Sequence, residues 1–265
     1  MKKLIPLLVV TTVALSATGC SGEAPAAVEV VPVAAPVVKP VAPRVDIGIG
    51  GGETSPKSHL AFDGIPKGSK IVKVSSRLVV EKVAATGLNF FAIQVNFPNK
   101  TWAHGGPQYV TGNKEQANWG GLVNRGGGSK DYKEVDWTKD LALIECGIGK
   151  PNTVPWAWKR GAAYLMTVER GAQVKLPAGY NKEHKVDAPE RTMWEWKFTI
   201  LPEDKSETPF TSLIYDSADH VGSFYLWNEA GYGSTNEQQH ATWSLPTYRV
   251  EGAAVDAVPA GWKRF

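Results

Sequence analysis

Cysteine is nearly absent: Cys20 and Cys146 are the only two in 265 residues. Cys20 closes an N-terminal leader pattern, so Cys146 stands alone in the rest of the chain and an internal disulfide is excluded. Cys146 ends the apolar run Leu141–Cys146 with no histidine beside it. It is expected to be a small buried hydrophobe and not a nucleophile. The five histidines show no His-x-x-x-His spacing, so no metal site of that kind is expected. Asn124–Ser129 is glycine-rich but lacks the Lys-Ser/Thr and following helix of a phosphate loop, and no cofactor is expected. An excess of charge is missing too. Removing Lys2 and Lys3 with the leader leaves 29 − 2 = 27 basic against 26 acidic residues, or +1. With no basic stripe either, a nucleic-acid partner is not expected. No long helical periodicity is present, and the apolar stretch Leu4–Leu15 is shorter than the roughly 20 residues a membrane span needs.

That stretch, with Lys2 and Lys3 before it and Ala17-Thr18-Gly19-Cys20 after it, has the layout of a secretory signal. The Gly19-Cys20 junction resembles the lipobox of bacterial lipoproteins. The resemblance implies cleavage of a leader spanning residues 1–20, lipidation of Cys20 and retention at a membrane. Ser21 offers no inner-membrane retention signal of the aspartate kind, so the outer membrane or cell surface is the expected location. Residues 21–46 are rich in Ala, Val and Pro and read as a semi-rigid spacer. Ile47–Gly52 reads as a swivel before one domain over 47–265, a length suited to a single sandwich or barrel.

Thr192–Ile200 anchors the fold expectation. Trp194, Trp196, Phe198 and Ile200 share one parity; Glu195, Lys197 and Thr199 share the other. Side chains alternate across a strand, so one face is a wall of large apolar groups that a second sheet must cover. The same alternation marks Ile71–Val83 (Val72, Val74, Leu78, Val80 against Lys73, Ser75, Arg77, Glu81). In Leu88–Phe97 it puts Phe91, Ile93, Val95 and Phe97 inward and Gln94 and Asn96 outward. Gly120–Asn124, Asp140–Cys146, Ala162–Arg170, Phe210–Tyr215, Val221–Asn228 and Pro246–Val250 are the further strands expected, separated by turn residues. The fold class expected is all-β: an antiparallel two-sheet sandwich of the jelly-roll or concanavalin-like kind, with a closed barrel as the alternative. Pro98–Trp119 and Glu229–His240 read as long polar loops.

Phe90-Phe91-Ala92-Ile93-Gln94, Trp119–Gly128, Trp158-Lys159-Arg160-Gly161-Ala162-Ala163-Tyr164 and Tyr164–Glu169 succeed one another along the chain. In that order they resemble a family of uncharacterised bacterial secreted proteins and lipoproteins with a domain of unknown function, over roughly Leu88–Trp227. The resemblance implies a concanavalin-like sandwich and an association with carbohydrate. It assigns no catalytic residue.

Ten tryptophans supply the remaining signal. Indole rings stack on pyranose faces while amides, carboxylates and guanidinium groups take the hydroxyls. Trp194 and Trp196 are expected in the core; Trp102, Trp119, Trp156 and Trp158, in or beside loops, are candidate platforms. Gln94, Asn96, Glu195 and Lys197 form one polar floor if their strands share a sheet. Trp102, His104, Gln108, Trp119 and Arg125 would gather around it. Binding without cleavage of a polysaccharide is therefore the function expected. A lyase or glycosidase is the alternative, with Glu195, Glu169 and His104 as its catalytic candidates; glycosidases need two carboxylates about 5–9.5 Å apart. A structural envelope lipoprotein with a protein partner is the third reading. Asp216-Ser217-Ala218-Asp219-His220 has oxygen ligands spaced for calcium, although an Asx-capped turn is the commoner use of that pattern.

Overall fold

The computed structural model describes residues 44–49, 57–112, 115–121, 143–146, 153–178, 189–205, 208–231 and 239–264. Strands in them form two sheets, and every pairing is antiparallel. The eight-stranded sheet runs β1 (Arg44–Ile49), β13 (Gln239–Ser244), β3 (Ile71–Lys82), β9 (Ala163–Leu176), β10 (Arg191–Pro202), β11 (Phe210–Asp216), β7 (Leu143–Cys146). Its eighth strand, β14 (Thr247–Val250), pairs with the first half of β3 while β13 pairs with the second. The seven-stranded sheet runs β15 (Gly261–Arg264), β2 (Lys57–Asp63), β12 (Ser223–Gly231), β4 (Leu88–Asn96), β5 (Trp102–Val110), β6 (Gln116–Gly121), β8 (Thr153–Pro155).

The inner faces of the two sheets meet as the alternation requires. Val74, Leu78 and Val80 of β3, Phe91, Ile93 and Val95 of β4, and Trp196, Phe198 and Ile200 of β10 are all fully buried in one cluster. Trp119 of β6 stacks on Phe198 across the layers, centroids 4.9 Å apart at 21°. Phe97 leans on Trp196 at 5.0 Å. Deleting any one of these large rings costs about 3–5 kcal/mol in an ordinary core. The chain is an all-β, antiparallel two-sheet sandwich.

Several expectations are corrected. Pro98–Trp119 is not a loop but most of β5 and β6. Its Gly105, Gly106 and Pro107 lie inside β5, where the glycines serve close packing. A Cβ on Gly105 would meet Trp119 and Phe198 at 2.6–2.7 Å, and one on Gly106 would meet the Phe91 carbonyl oxygen at 1.7 Å. Glu229–His240 likewise contributes residues to β12 and β13. Arg44–Ile49, assigned to spacer and swivel, pairs with β13. Val72 is only half-buried, because inward alternation on β3 begins at Ile71 and Val74, on either side of the irregular pairing with β14 near Ile71. Trp194 shares the inward parity of Trp196 but is half-buried. Beside it the β9–β10 register slips by one residue, and the Arg170 guanidinium lies 4.5 Å above its ring.

Candidate functional site

The decisive placement is that β4 and β10 belong to different sheets. Gln94 and Asn96 point out from the seven-stranded sheet, Glu195 and Lys197 from the eight-stranded one. The single polar floor therefore does not exist, and Glu195 is not part of a site with Gln94. Glu169 and Glu195 do share an outer face on neighbouring strands, with Glu169 opposite Lys197 and within 3.8 Å of Lys73. His104 lies on the opposite outer face of the sandwich, so Glu195, Glu169 and His104 do not assemble as a catalytic set. Strand pairing over more than a hundred residues of sequence decides this, and parity within a strand carries no trace of it.

The outer face of the seven-stranded sheet gathers the rest. Opposite Gln94 stands His104 of β5, and opposite Asn96 stands Trp102. On the other side of β4, Gln94 faces Tyr225, Asn96 faces Ser223 and Ala92 faces Trp227. Outward parity thus puts Trp102, His104 and Gln108 on one surface with Gln94 and Asn96. Their rings form a continuous row. Trp102 tilts against His104 at 4.9 Å, His104 against Trp227 at 5.4 Å, and His59 of β2 stacks on Trp227 at 5.5 Å and 17°. Phe90 meets both His104 and Trp227 edge-on at 5.2 Å. Phe90, Trp227 and His104 are buried, while Trp102 and His59 at the ends are half-buried. The row crosses four strands, roughly 14 Å at ordinary strand spacing.

Beside the row runs a directed chain of hydrogen bonds. Gln94 Nε2 donates to Asn96 Oδ1 at 2.9 Å, and Asn96 Nδ2 donates to Ser223 Oγ at 3.1 Å. Ser223 is left with its own hydrogen to donate. On β5 and β6, Gln108 Oε1 and Asn118 Oδ1 are buried acceptors that receive no hydrogen bond. A buried acceptor without a donor costs about 1–3 kcal/mol, so these two oxygens are local weak points in the packing beside the row.

Three candidate tryptophans are structural instead. Trp119 is fully buried between the sheets. Trp158 is buried and donates its indole N–H to the Gln108 carbonyl at 3.1 Å. Trp156 donates to the Thr208 carbonyl at 2.8 Å and packs edge-on against Tyr164. Arg125, the Asn124–Ser129 turn and Cys20 lie outside the described residues, as does the side chain of Cys146. No family model matches the chain, and no curated protein matches it in sequence. Among solved structures the sandwich is similar to that of a Scytalido-glutamic peptidase crystallised with a peptide-based transition state analog, at a TM-score of 0.40 and 7% identity over 81% of this chain and 88% of that one.

Sequence reasoning missed the aromatic partners Trp227 and His59 and the hydroxyl of Ser223. Their outward parity on β12 and β2 was the available signal. It also missed a cleft of about 540 Å³ that opens at one end of this surface, shares Ser223 and Tyr225 with it, and is bordered by His220. The segment before His220 is tightly held. Asp216 is fully buried and accepts hydrogen bonds from Asn99 Nδ2 (2.7 Å), Thr101 Oγ1 (2.6 Å) and the Ala218 N–H (2.8 Å), the last being an Asx turn. Its oxygens are committed to these donors, which leaves Asp216-Ser217-Ala218-Asp219 without the open ligand set a calcium ion needs. Among the described residues no three His, Cys, Asp or Glu side chains cluster to hold a metal. Asp219 faces Lys70 Nζ at 2.8 Å and His220 Nδ1 at 2.5 Å. The hydrogen bond from Lys70, then that from His220, pulls the Asp219 carboxyl down to about 2.

Proposed function

We propose that the outer face of the seven-stranded sheet binds a polysaccharide without cleaving it, and that the protein presents this face from the bacterial cell envelope, anchored through Cys20. The observation that carries the reading is the row Trp102–His104–Trp227–His59 lying alongside the Gln94–Asn96–Ser223 chain. A half-exposed indole on a stiff aromatic base offers an apolar platform for a sugar ring. The neighbouring amides and hydroxyl offer fixed donors and acceptors at hydroxyl spacing. The row runs across the strands, which suits an extended chain more than a single small molecule. The family resemblance around Phe90–Gln94 implies the same association. The binding-only reading rests on the separation of Glu169 and Glu195 from this surface.

A glycan array probed with the full chain tests the proposal, with calorimetry on any hit. Micromolar binding that Trp102→Ala weakens at least about tenfold while the melting temperature holds supports it. Absence of binding across neutral and acidic polysaccharides sinks it. Release of reducing ends or unsaturated sugar from a bound glycan would show that the protein is an enzyme. Anchoring is tested separately. Cys20→Ala should move the protein from the membrane fraction to the soluble one, and an unchanged fractionation removes the anchor. Among the described residues no helix is long and apolar enough to cross a membrane.

A further inference from the structure

The cleft at the end of the aromatic row differs from it in chemistry. Its walls come from the end of β2 (Ala61–Asp63), the turn Pro66–Ser69, the start of β12 (Gly222–Tyr225), Lys263 of β15, and His220 with Pro98. Phe62, stacked on Phe224 at 5.4 Å, supplies an apolar base. A volume of about 540 Å³ falls within the ordinary range for small-ligand sites.

Its charge is one-sided. Lys70, Lys73 and Lys175 each sit within 4 Å of a carboxylate. Lys67 and Lys263 have no such partner among the described residues, and both line this cleft. His220 lines it as well. Its Nδ1 is taken by Asp219, which leaves Nε2 as the nitrogen available to a ligand. Asp219 is also paired through its other oxygen with Lys70 Nζ at 2.8 Å. Asp63 is the single carboxylate in the lining. Two ammonium groups against one carboxylate, in a chain of formal charge only +3, concentrate positive potential at one place, with a neutral-capable imidazole as a further donor. Ser223 and Tyr225 belong both to this cleft and to the polar edge of the aromatic row, so a chain lying on the row reaches the cleft without a break.

We infer that the cleft is a subsite for an anionic group on the glycan, a uronate carboxylate or a sulfate ester, held by Lys67 and Lys263 with His220 at its rim. The inference rests on the polysaccharide reading and narrows it to acidic polymers. The shared chemistry is one anion on a pyranose ring seated over Phe62.

The test is calorimetry on the full chain with oligogalacturonate, its methyl ester and a sulfated dextran, with unmodified dextran as the neutral control. Oligogalacturonate or sulfated dextran is expected to bind at least about tenfold more tightly than its uncharged counterpart, since one charge-assisted contact is worth about 1.5–3 kcal/mol and 1.4 kcal/mol is tenfold. Preference for one of the two anions identifies which group the cleft takes. Lys67→Gln with Lys263→Gln should remove that preference and flatten the salt dependence while leaving the uncharged ligand's affinity as it was. Both lysines are exposed, so the fold is expected to survive, and an unchanged melting temperature checks it. Equal affinity for charged and uncharged forms overturns this inference alone, as does an anion preference that survives the double variant. No binding of any of the four ligands overturns the subsite, and the glycan array above decides whether the polysaccharide reading falls with it.

Discussion

The two outer faces of the sandwich are built by the same alternation and have opposite characters. On the eight-stranded sheet, charges answer one another across strands: Arg77 Nε lies 2.8 Å from Glu203 and Lys73 Nζ 3.8 Å from Glu169, with Leu165 and Leu201 exposed as neighbours between β9 and β10. On the seven-stranded sheet the row of rings is flanked by amides and a hydroxyl. Charged partners that satisfy each other in water need nothing further, and exposed pairs of that kind contribute at most about 1 kcal/mol. Amides that bond in one direction leave a terminal hydrogen, on Ser223, that a docked ligand can accept in place of water. The eight-stranded face also carries a buried apolar cluster of Leu176, Met193 and Tyr215 at one end, so the contrast holds for its charged part, and it is this contrast that the proposed glycan face rests on.

The comparison breaks most severely if the layer beneath both faces is removed. Trp119→Ala empties the ring stacked on Phe198 and is expected to lower stability by about 3–5 kcal/mol. Chemical denaturation should show it, and glycan binding should fall only in step with unfolding. Next in size is Trp102→Ala, expected to weaken glycan binding at least about tenfold with the fold intact, as loss of an aromatic hot spot does. Its mirror on the other face is Leu201→Ala, for which calorimetry should find no change; equal losses would erase the distinction between the faces.

A smaller effect is electrostatic. The folded carboxyl of Asp219 titrates at about 2 against an ordinary 3.8. Its contribution is therefore fully present above about pH 4 and is lost as pH falls through about 2. The side chain is 36% exposed, so solvent screening holds the contribution below about 1 kcal/mol. Lys70→Met should remove most of that acid dependence in pH-resolved melting curves, and a variant that melts along the wild-type pH profile would show that the pair is energetically idle. The smallest expected effect is none: Glu195→Gln, on the solvated face, should leave glycan affinity unchanged, and any loss would move the site to the other sheet.

Much of the sandwich is legible in the sequence, and the boundary of legibility has a physical cause. Parity within Thr192–Ile200 and Leu88–Phe97 places Trp196 and Phe198 inside and Gln94 and Asn96 outside, because side-chain alternation is a local property. Sequence misplaces Trp119 because the polar, glycine-containing stretch Pro98–Trp119 reads as a loop, whereas Gly105 and Gly106 are small so that an indole and a neighbouring backbone can come close. It joins Glu195 to Gln94 because which strands share a sheet depends on pairings between distant segments. Such pairings leave no mark on a single strand.

Those distant pairings also govern when the molecule can exist at all. β1 pairs with β13, β2 with β12 and β15, β3 with β13 and β14, and β4 with β12. Every described strand before residue 97 thus has a hydrogen-bonded neighbour drawn from beyond residue 222. In a nascent chain β4–β5–β6–β8 and β3–β9–β10–β11–β7 can pair among themselves, but β1 and β2 have no described partner until β12 and the strands after it are made. Folding dominated by such long closures is slow. If residues 1–20 act as the export leader proposed above, this delay would help keep the polypeptide threadable during export.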